Sequence, residues 1–238
     1  MAKTIVHKAG TRGHANHGWL DTYHTFSFAD YHDESRVHFG ALRVLNDDSV
    51  AGGMGFGAHP HDNMEIISIP TEGDLEHRDS MGTVQVIKHG DIQVMSAGSG
   101  IQHSEKNKNS NKPVKFFQIW VFPNKRNVTP RYGQITLNPA DRKNKLQQIV
   151  SPNQADGDTW INQDAWFHLG SFDNGNQADY ILKNKNDGVY AFVIEGDFTV
   201  NGEKLSRHDG IGIYETDKIT LQANSDKAEI LLIEVPMK

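Results

Sequence analysis

Two short histidine patterns dominate the chemistry open to this chain: His59-Pro-His61, which leads into Glu65, and His103-Ser-Glu105. In a β-strand, side chains two residues apart lie on one face. An extended segment therefore points His59 and His61 the same way, and a second strand does the same for His103 and Glu105. Two such pairs meeting across a barrel interior make a site of three imidazoles and one carboxylate. That donor set suits a divalent transition metal such as Fe, Mn, Co, Ni, Cu or Zn. It can leave a position open for water or substrate. The chain has no cysteine, so disulfides, thiolate ligands and a cysteine nucleophile are excluded. Glu65 shares the parity of His59 and His61, so spacing alone leaves it competing with Glu105 as the carboxylate donor.

The elements that must carry these residues read as β-structure. Gly40–Leu45, Met64–Ile69, Val84–Ile87 and Ile92–Met95 are short, rich in β-branched residues and punctuated by Gly, Asn and Asp. This pattern predicts an all-β barrel or sandwich. The glycines of Gly98-Ser-Gly100 let the chain reverse just before the strand that bears His103. One short helix is expected over Pro139–Leu146, with Asn138 as its cap and Pro139 in its first turn.

The chain repeats itself. Thr71-Glu-Gly-Asp-Leu-Glu76 resembles Ile194-Glu-Gly-Asp-Phe-Thr199, and a second glycine turn follows each, at Gly90 and at Gly210. Two similar β-barrels in tandem account for this, with the polar stretch after Asn138 as their connection. The expected division is 1–137 for a metal-binding barrel and 138–238 for a linker and a metal-free barrel. The histidines support this asymmetry, because all but His168 and His208 lie at or before position 103. Transferring the ligand spacings from Gly73 and Gly90 to Gly196 and Gly210 lands on Leu182, Asn184, Ala223 and Ser225, which offer no histidine.

Composition bounds the rest. The chain has 238 residues, 37% of them hydrophobic and 23% charged, with a net charge of −6. It has enough apolar residues for a sizeable core, and no basic excess to favour nucleic acid. The most apolar run, Val114–Phe122, is far shorter than the roughly 20 residues of a membrane helix and reads as a buried strand. The N-terminus lacks the apolar stretch of a secretory signal, so a cytoplasmic protein is expected. Neither nucleic acid nor membrane is expected as a partner, and a monomer is expected. His14, His17, His24 and His32 read as surface or packing residues, and His77-Arg-Asp79 as part of a hydrogen-bonded turn. Met54, Phe56, Met64 and Met95 are candidates for pocket walls or core.

Gly53-x5-His59-x-His61-x3-Glu65 resembles the first motif of the cupin superfamily. A more specific resemblance is to the pirin family, carried by His59-Pro-His61, Leu75-Glu-His-Arg-Asp-Ser-Met-Gly82, Gly90-Asp-Ile-Gln93 and Met95-Ser-Ala-Gly-Ser-Gly-Ile-Gln-His-Ser-Glu105. The segments His17–Phe28 and Gly40–Asp48 look like the bacterial pirin-like quercetinases. The resemblance implies a bicupin of two jelly-roll barrels with one metal in the first. It places the ligands on His59, His61, His103 and Glu105, which leaves Glu65 to orient a ligand rather than bind the ion. It implies a dioxygenase that cleaves a flavonol such as quercetin with O2, releasing carbon monoxide, with iron as the expected metal and Glu105 as the base. The alternative it carries is a non-catalytic, metal-dependent regulator that binds a partner protein.

Overall fold

The computed structural model describes residues 2–238. Alternating apolar residues build four sheets, and every strand pairing between them is antiparallel. The first barrel sets a seven-stranded sheet against a four-stranded one. The large sheet runs Arg131–Thr136, Asp91–Ser96, Glu65–Glu72, Val114–Val121, Leu42–Val50, Leu20–His24 and Gly13–Asn16. The small sheet runs Gly55–His61, Ile101–Asn107, Asp74–Asp79 and Val84–Lys88. The second barrel repeats the plan with six strands against four. The two copies share their first glycine turn, with Gly73 and Gly196 both in the left-handed region (φ +76° and +74°) that favours glycine. This is a bicupin of jelly-roll barrels.

The β-period of two sorts side chains between two cores. Along Val114–Val121, Phe117, Ile119 and Val121 face the second barrel, while Val114, Phe116, Gln118 and Trp120 face the interior of the first. The second barrel mirrors this, sending Tyr190, Phe192 and Ile194 to the shared layer and Val189, Ala191 and Val193 inward. The large sheets thus meet back to back over a common apolar core. The two interiors differ. That of the second barrel is a continuous apolar cluster from Phe172 to Leu232. That of the first is split into two small clusters, around Phe116 and around Met95. Between them lies a polar band that includes Ser68, Gln118, His103 and Glu105.

Two expectations need correction. The strand Lys3–His7 does not belong to the first barrel, because it pairs with Gly210–Tyr214 at the edge of the second barrel's large sheet. The division at 137/138 therefore has an N-terminal exception. The expected helix over Pro139–Leu146 is a single 3-10 turn, Pro139–Arg142, in which the Asn138 side chain accepts from the Ala140 amide as expected of a cap. It stops there because Asn144 takes a left-handed conformation (φ +53°), donates its amide to the Ser171 carbonyl and leads straight into the strand Leu146–Val150. Among the described residues, no helix is long and apolar enough to cross a membrane.

Candidate metal centre

The small sheet of the first barrel brings the histidines together through register. His59 lies opposite His103, and His61 opposite Ile101. A bulge between His103 and Glu105 then shifts the pairing. Gly55 makes this close approach possible, since a Cβ there would sit 2.2 Å from the Glu105 carbonyl oxygen. Gly98, in the turn before the ligand strand, is at φ +50° and would drive a Cβ to 2.0 Å from the Val128 carbonyl.

The three imidazoles converge. Their ring centres are 4.4 Å apart for His59 and His103, and 4.9 Å for each pair involving His61. One nitrogen from each falls in a cluster whose atoms lie within 4.8 Å of one another. Protonation states favour binding. The His59 Nδ1–H donates to the Gly57 carbonyl at 2.8 Å, which leaves Nε2 as a free lone pair. Burial pushes His61 down to about 4 and His103 lower still, with neighbouring imidazoles adding to the effect, so both are neutral near pH 7. Both nitrogens of buried His103 lack any hydrogen-bond partner. A buried, unpaired imidazole beside two others is costly without a ligand, and a divalent metal fits the donor set.

The carboxylates fall elsewhere. Glu105 is buried on the same strand face as His103 but is not part of the three-histidine cluster. Its oxygens accept from Gln118 Nε2 at 2.8 Å and from Ser68 Oγ at 3.3 Å, and burial raises its pKa. Glu65 accepts from Ser96 Oγ at 2.6 Å and from Asn162 Nδ2 at 3.2 Å. None of these partners is a histidine of the cluster, so Glu65 ties a loop of the second barrel to the first instead of orienting a ligand.

A cavity of about 530 Å³ opens onto His59, His61 and Glu105. Its outer wall comes from the N-terminal segment, which contributes His14, His17, His24, Phe28 and Tyr31. Of the four N-terminal histidines read as surface or packing residues, three thus border the cavity. Pairing of Gly13–Asn16 with Leu20–His24, and of that strand with Leu42–Val50, brings this segment there, a register that spacing along the chain does not reveal. Inward-facing Thr22, Asn46 and Asp48 add a polar floor. Burial pushes Asp48 up to about 7, opposed by its bond from Thr22 and reinforced by Glu105. Trp120 and Phe56 supply aromatic walls, Trp120 against the His61 ring at 4.9 Å. Of the apolar wall candidates only Phe56 lines this cavity. Met95 is core, Met54 is exposed, and Met64 borders a second, more open cavity that also reaches His61 and Trp120.

Comparison with known proteins agrees with this geometry. A family model described as Pirin matches residues 5–121, and one described as the quercetinase C-terminal cupin domain matches residues 148–235. The chain is 42% identical over 231 residues to a quercetin 2,3-dioxygenase of Escherichia coli K12, covering 97% of this chain and 98% of the relative. The chain belongs to the pirin family. A pirin-like protein of Caulobacter vibrioides is 39% identical, across 93% of this chain and 95% of that one. The solved structure of the bacterial pirin YhhW from Escherichia coli in complex with nickel(II) superposes with a TM-score of 0.93 at 40% identity, covering 99% of this pirin and all of that chain.

In the second barrel of this pirin, the pairing of His103 with His59 is replaced by that of Ile219 with Tyr180. Likewise, Glu105 opposite His77 becomes Leu221 opposite Val200. Register thus corrects the four positions found by counting to Tyr180, Leu182, Ile219 and Leu221. All four are buried in the apolar interior, so the positions that would hold a metal are filled by core.

Proposed function

We propose that this pirin is a metal-dependent dioxygenase that opens the heterocycle of flavonols such as quercetin with O2 and releases carbon monoxide. The observation that carries the reading is the three-histidine cluster, of which His59 and His61 line an aromatic-walled cavity of about 530 Å³, a volume within the range of small-molecule sites. The names of its relatives support it. His59, His61 and His103 would hold one divalent metal, with Glu105, on the same strand face as His103, as a fourth ligand. Iron is the proposed ion. Bound there, the metal acidifies a coordinated hydroxyl and aligns the reactants.

The chain's own residues do the rest. Trp120, Phe56 and Phe28 present aromatic faces to a flat, fused-ring substrate and exclude water from it. Glu105 takes the proton of the flavonol 3-hydroxyl, a role suited to a buried carboxylate whose affinity for a proton is raised. Gln118 and Ser68 hold that carboxylate in place before and after the transfer.

The test is reconstitution of metal-free protein, under anaerobic conditions, with Fe, Ni, Cu, Mn, Co or Zn in turn. Quercetin and oxygen are then added, and loss of flavonol absorbance and release of carbon monoxide are followed. Turnover with at least one redox-active metal is expected. Absence of turnover with every metal, in protein that has taken the metal up, overturns the dioxygenase reading.

A further inference from the structure

His77 and Asp79 form part of the motif read as a turn, yet only Asp79 serves the turn. Both lie on the strand Asp74–Asp79, with side chains buried beside the metal cluster. In the register, Asp79 is opposite His103 and His77 is opposite Glu105. Asp79 Oδ1 accepts from the backbone amides of Met81 and Thr83 at 2.9 and 3.0 Å. Its Oδ2 bonds His77 Nε2 at 3.0 Å. Burial opposes ionisation of Asp79, but these N–H donors outweigh it and hold the carboxyl below its usual range. A carboxylate only accepts, so the proton of this pair sits on His77 Nε2. The opposite ring nitrogen, Nδ1 of His77, is buried without a partner.

Two rings flank it. Tyr132, 4.8 Å away between ring centres, is committed, because its hydroxyl donates to Gln134 Oε1 at 2.7 Å. The other is His103, with ring centres 5.4 Å apart and both nitrogens orphaned. Three buried ring nitrogens therefore lack partners in one place. One cation and one hydrogen bond would account for all three: one nitrogen of His103 on the metal, and its other N–H turned toward His77 Nδ1.

We propose that His77 and Asp79 are positioning residues, a carboxylate–imidazole relay that fixes the tautomer and orientation in which His103 binds the metal. The relay rests on reading the three-histidine cluster as a metal centre. It does not depend on which reaction that metal supports. The turn at Asp79–Thr83 anchors the carboxylate, the carboxylate sets the proton on His77, and His77 sets the proton on His103. The outer partner of a metal-bound imidazole typically changes metal affinity by roughly 10- to 100-fold.

The test is cobalt(II) titration of metal-free protein against a competing chelator, with the visible d–d spectrum as a second readout. His77→Phe keeps a ring but removes the acceptor. His77→Asn places an amide oxygen near the position of Nδ1. In Asp79→Asn, the amide oxygen stays with the Met81 and Thr83 amides and its NH2 faces Nε2, so the His77 tautomer inverts and Nδ1–H opposes His103. Cobalt affinity is expected to fall roughly 10- to 100-fold in His77→Phe and Asp79→Asn, with an altered d–d spectrum, and to stay within a few-fold of wild type in His77→Asn. Circular dichroism and melting of the metal-free variants identify any that fail to fold; if His77→Phe does, Asp79→Asn decides. Wild-type affinity and spectrum in a folded His77→Phe or Asp79→Asn overturn the relay, as does a His77→Asn no better than His77→Phe. Failure of the wild type to take up cobalt overturns the metal centre and the relay with it.

Discussion

Glu105 sits where two demands on one carboxylate compete. Gln118 and Ser68 hold its oxygens, burial raises its pKa, and three imidazoles stand ready to bind a metal without it. Replacing Glu105 with Gln keeps the shape and one acceptor oxygen but turns the other oxygen into an NH2 donor and removes the proton acceptor. Turnover of quercetin is expected to fall by roughly 10²- to 10⁴-fold, the usual contribution of a positioned base. Metal content after dialysis is expected to stay near one ion per chain. Loss of metal together with activity would instead make ligation the first duty of the carboxylate. Replacing His103 with Ala is expected to abolish metal retention, whereas His24→Ala, on the cavity wall, is expected to keep the metal. At this scale the cluster was legible because its signal is local: parity along one strand places His59 with His61. The contribution of His77 was hidden, since its proximity to His103 comes from cross-strand register and no spacing along the chain encodes it.

Strands deliver these side chains only if their backbones come close enough. Gly55 illustrates the constraint, because a methyl group there would overlap the Glu105 carbonyl and the Lys106 Cα of the neighbouring strand. Gly55→Ala is expected to force the strand Gly55–His61 away from Ile101–Asn107. The stability cost should be about 1–3 kcal/mol, and metal affinity should fall with it although no ligand is altered. Urea midpoints and a metal titration of the same preparation check both effects. A second element, Trp166–Phe172, turns His168 into the second barrel's interior, where Nδ1 has no partner and the ring lies 4.8 Å from Tyr180. Burial, helped by Lys183, lowers its pKa from 6.5 to about 4. The unfolded chain therefore binds the proton first, so this histidine costs nothing above pH 6.5 and destabilises the fold progressively as pH drops from 6.5 towards 4. Between pH 7 and pH 5, His168→Phe should gain about 2 kcal/mol on the wild type. Urea midpoints of the metal-free proteins at the two pH values measure this, and an unchanged difference would remove His168 from the acid response. Alternation predicted the strands well, because one-sided burial leaves a period of two. It failed at Asn138–Leu146, where a cap and a proline announce a helix but pairing of Leu146–Val150 with Trp166–Phe172 claims the chain after one turn.

The two barrels of the molecule are not independent. Each large sheet has an apolar outward face, and that of the second barrel is apolar on both faces, as in Asp187–Glu195, which is buried along all but its last residue. The outward faces close over each other in one cluster, where Phe117 of the first barrel meets Phe192 of the second at 5.3 Å. Exchange of parts reinforces this layer. The strand Lys3–His7 completes the sheet of the second barrel, Asn162 reaches back to Glu65, and Arg12, which donates to Asp47 of the first barrel, also reaches His208 Nδ1 at 3.3 Å. If either barrel unfolded alone, the other would expose that apolar face to water, so the two should unfold as one unit. Phe192→Ala leaves a cavity in the shared layer and is expected to cost about 3–5 kcal/mol. Calorimetry should show one transition, shifted as a whole, with metal release at the same temperature although Phe192 lies in the other barrel. Two transitions, of which only the one without metal moves, would show that the shared core does not couple the barrels. The metal site would then depend on the first barrel alone.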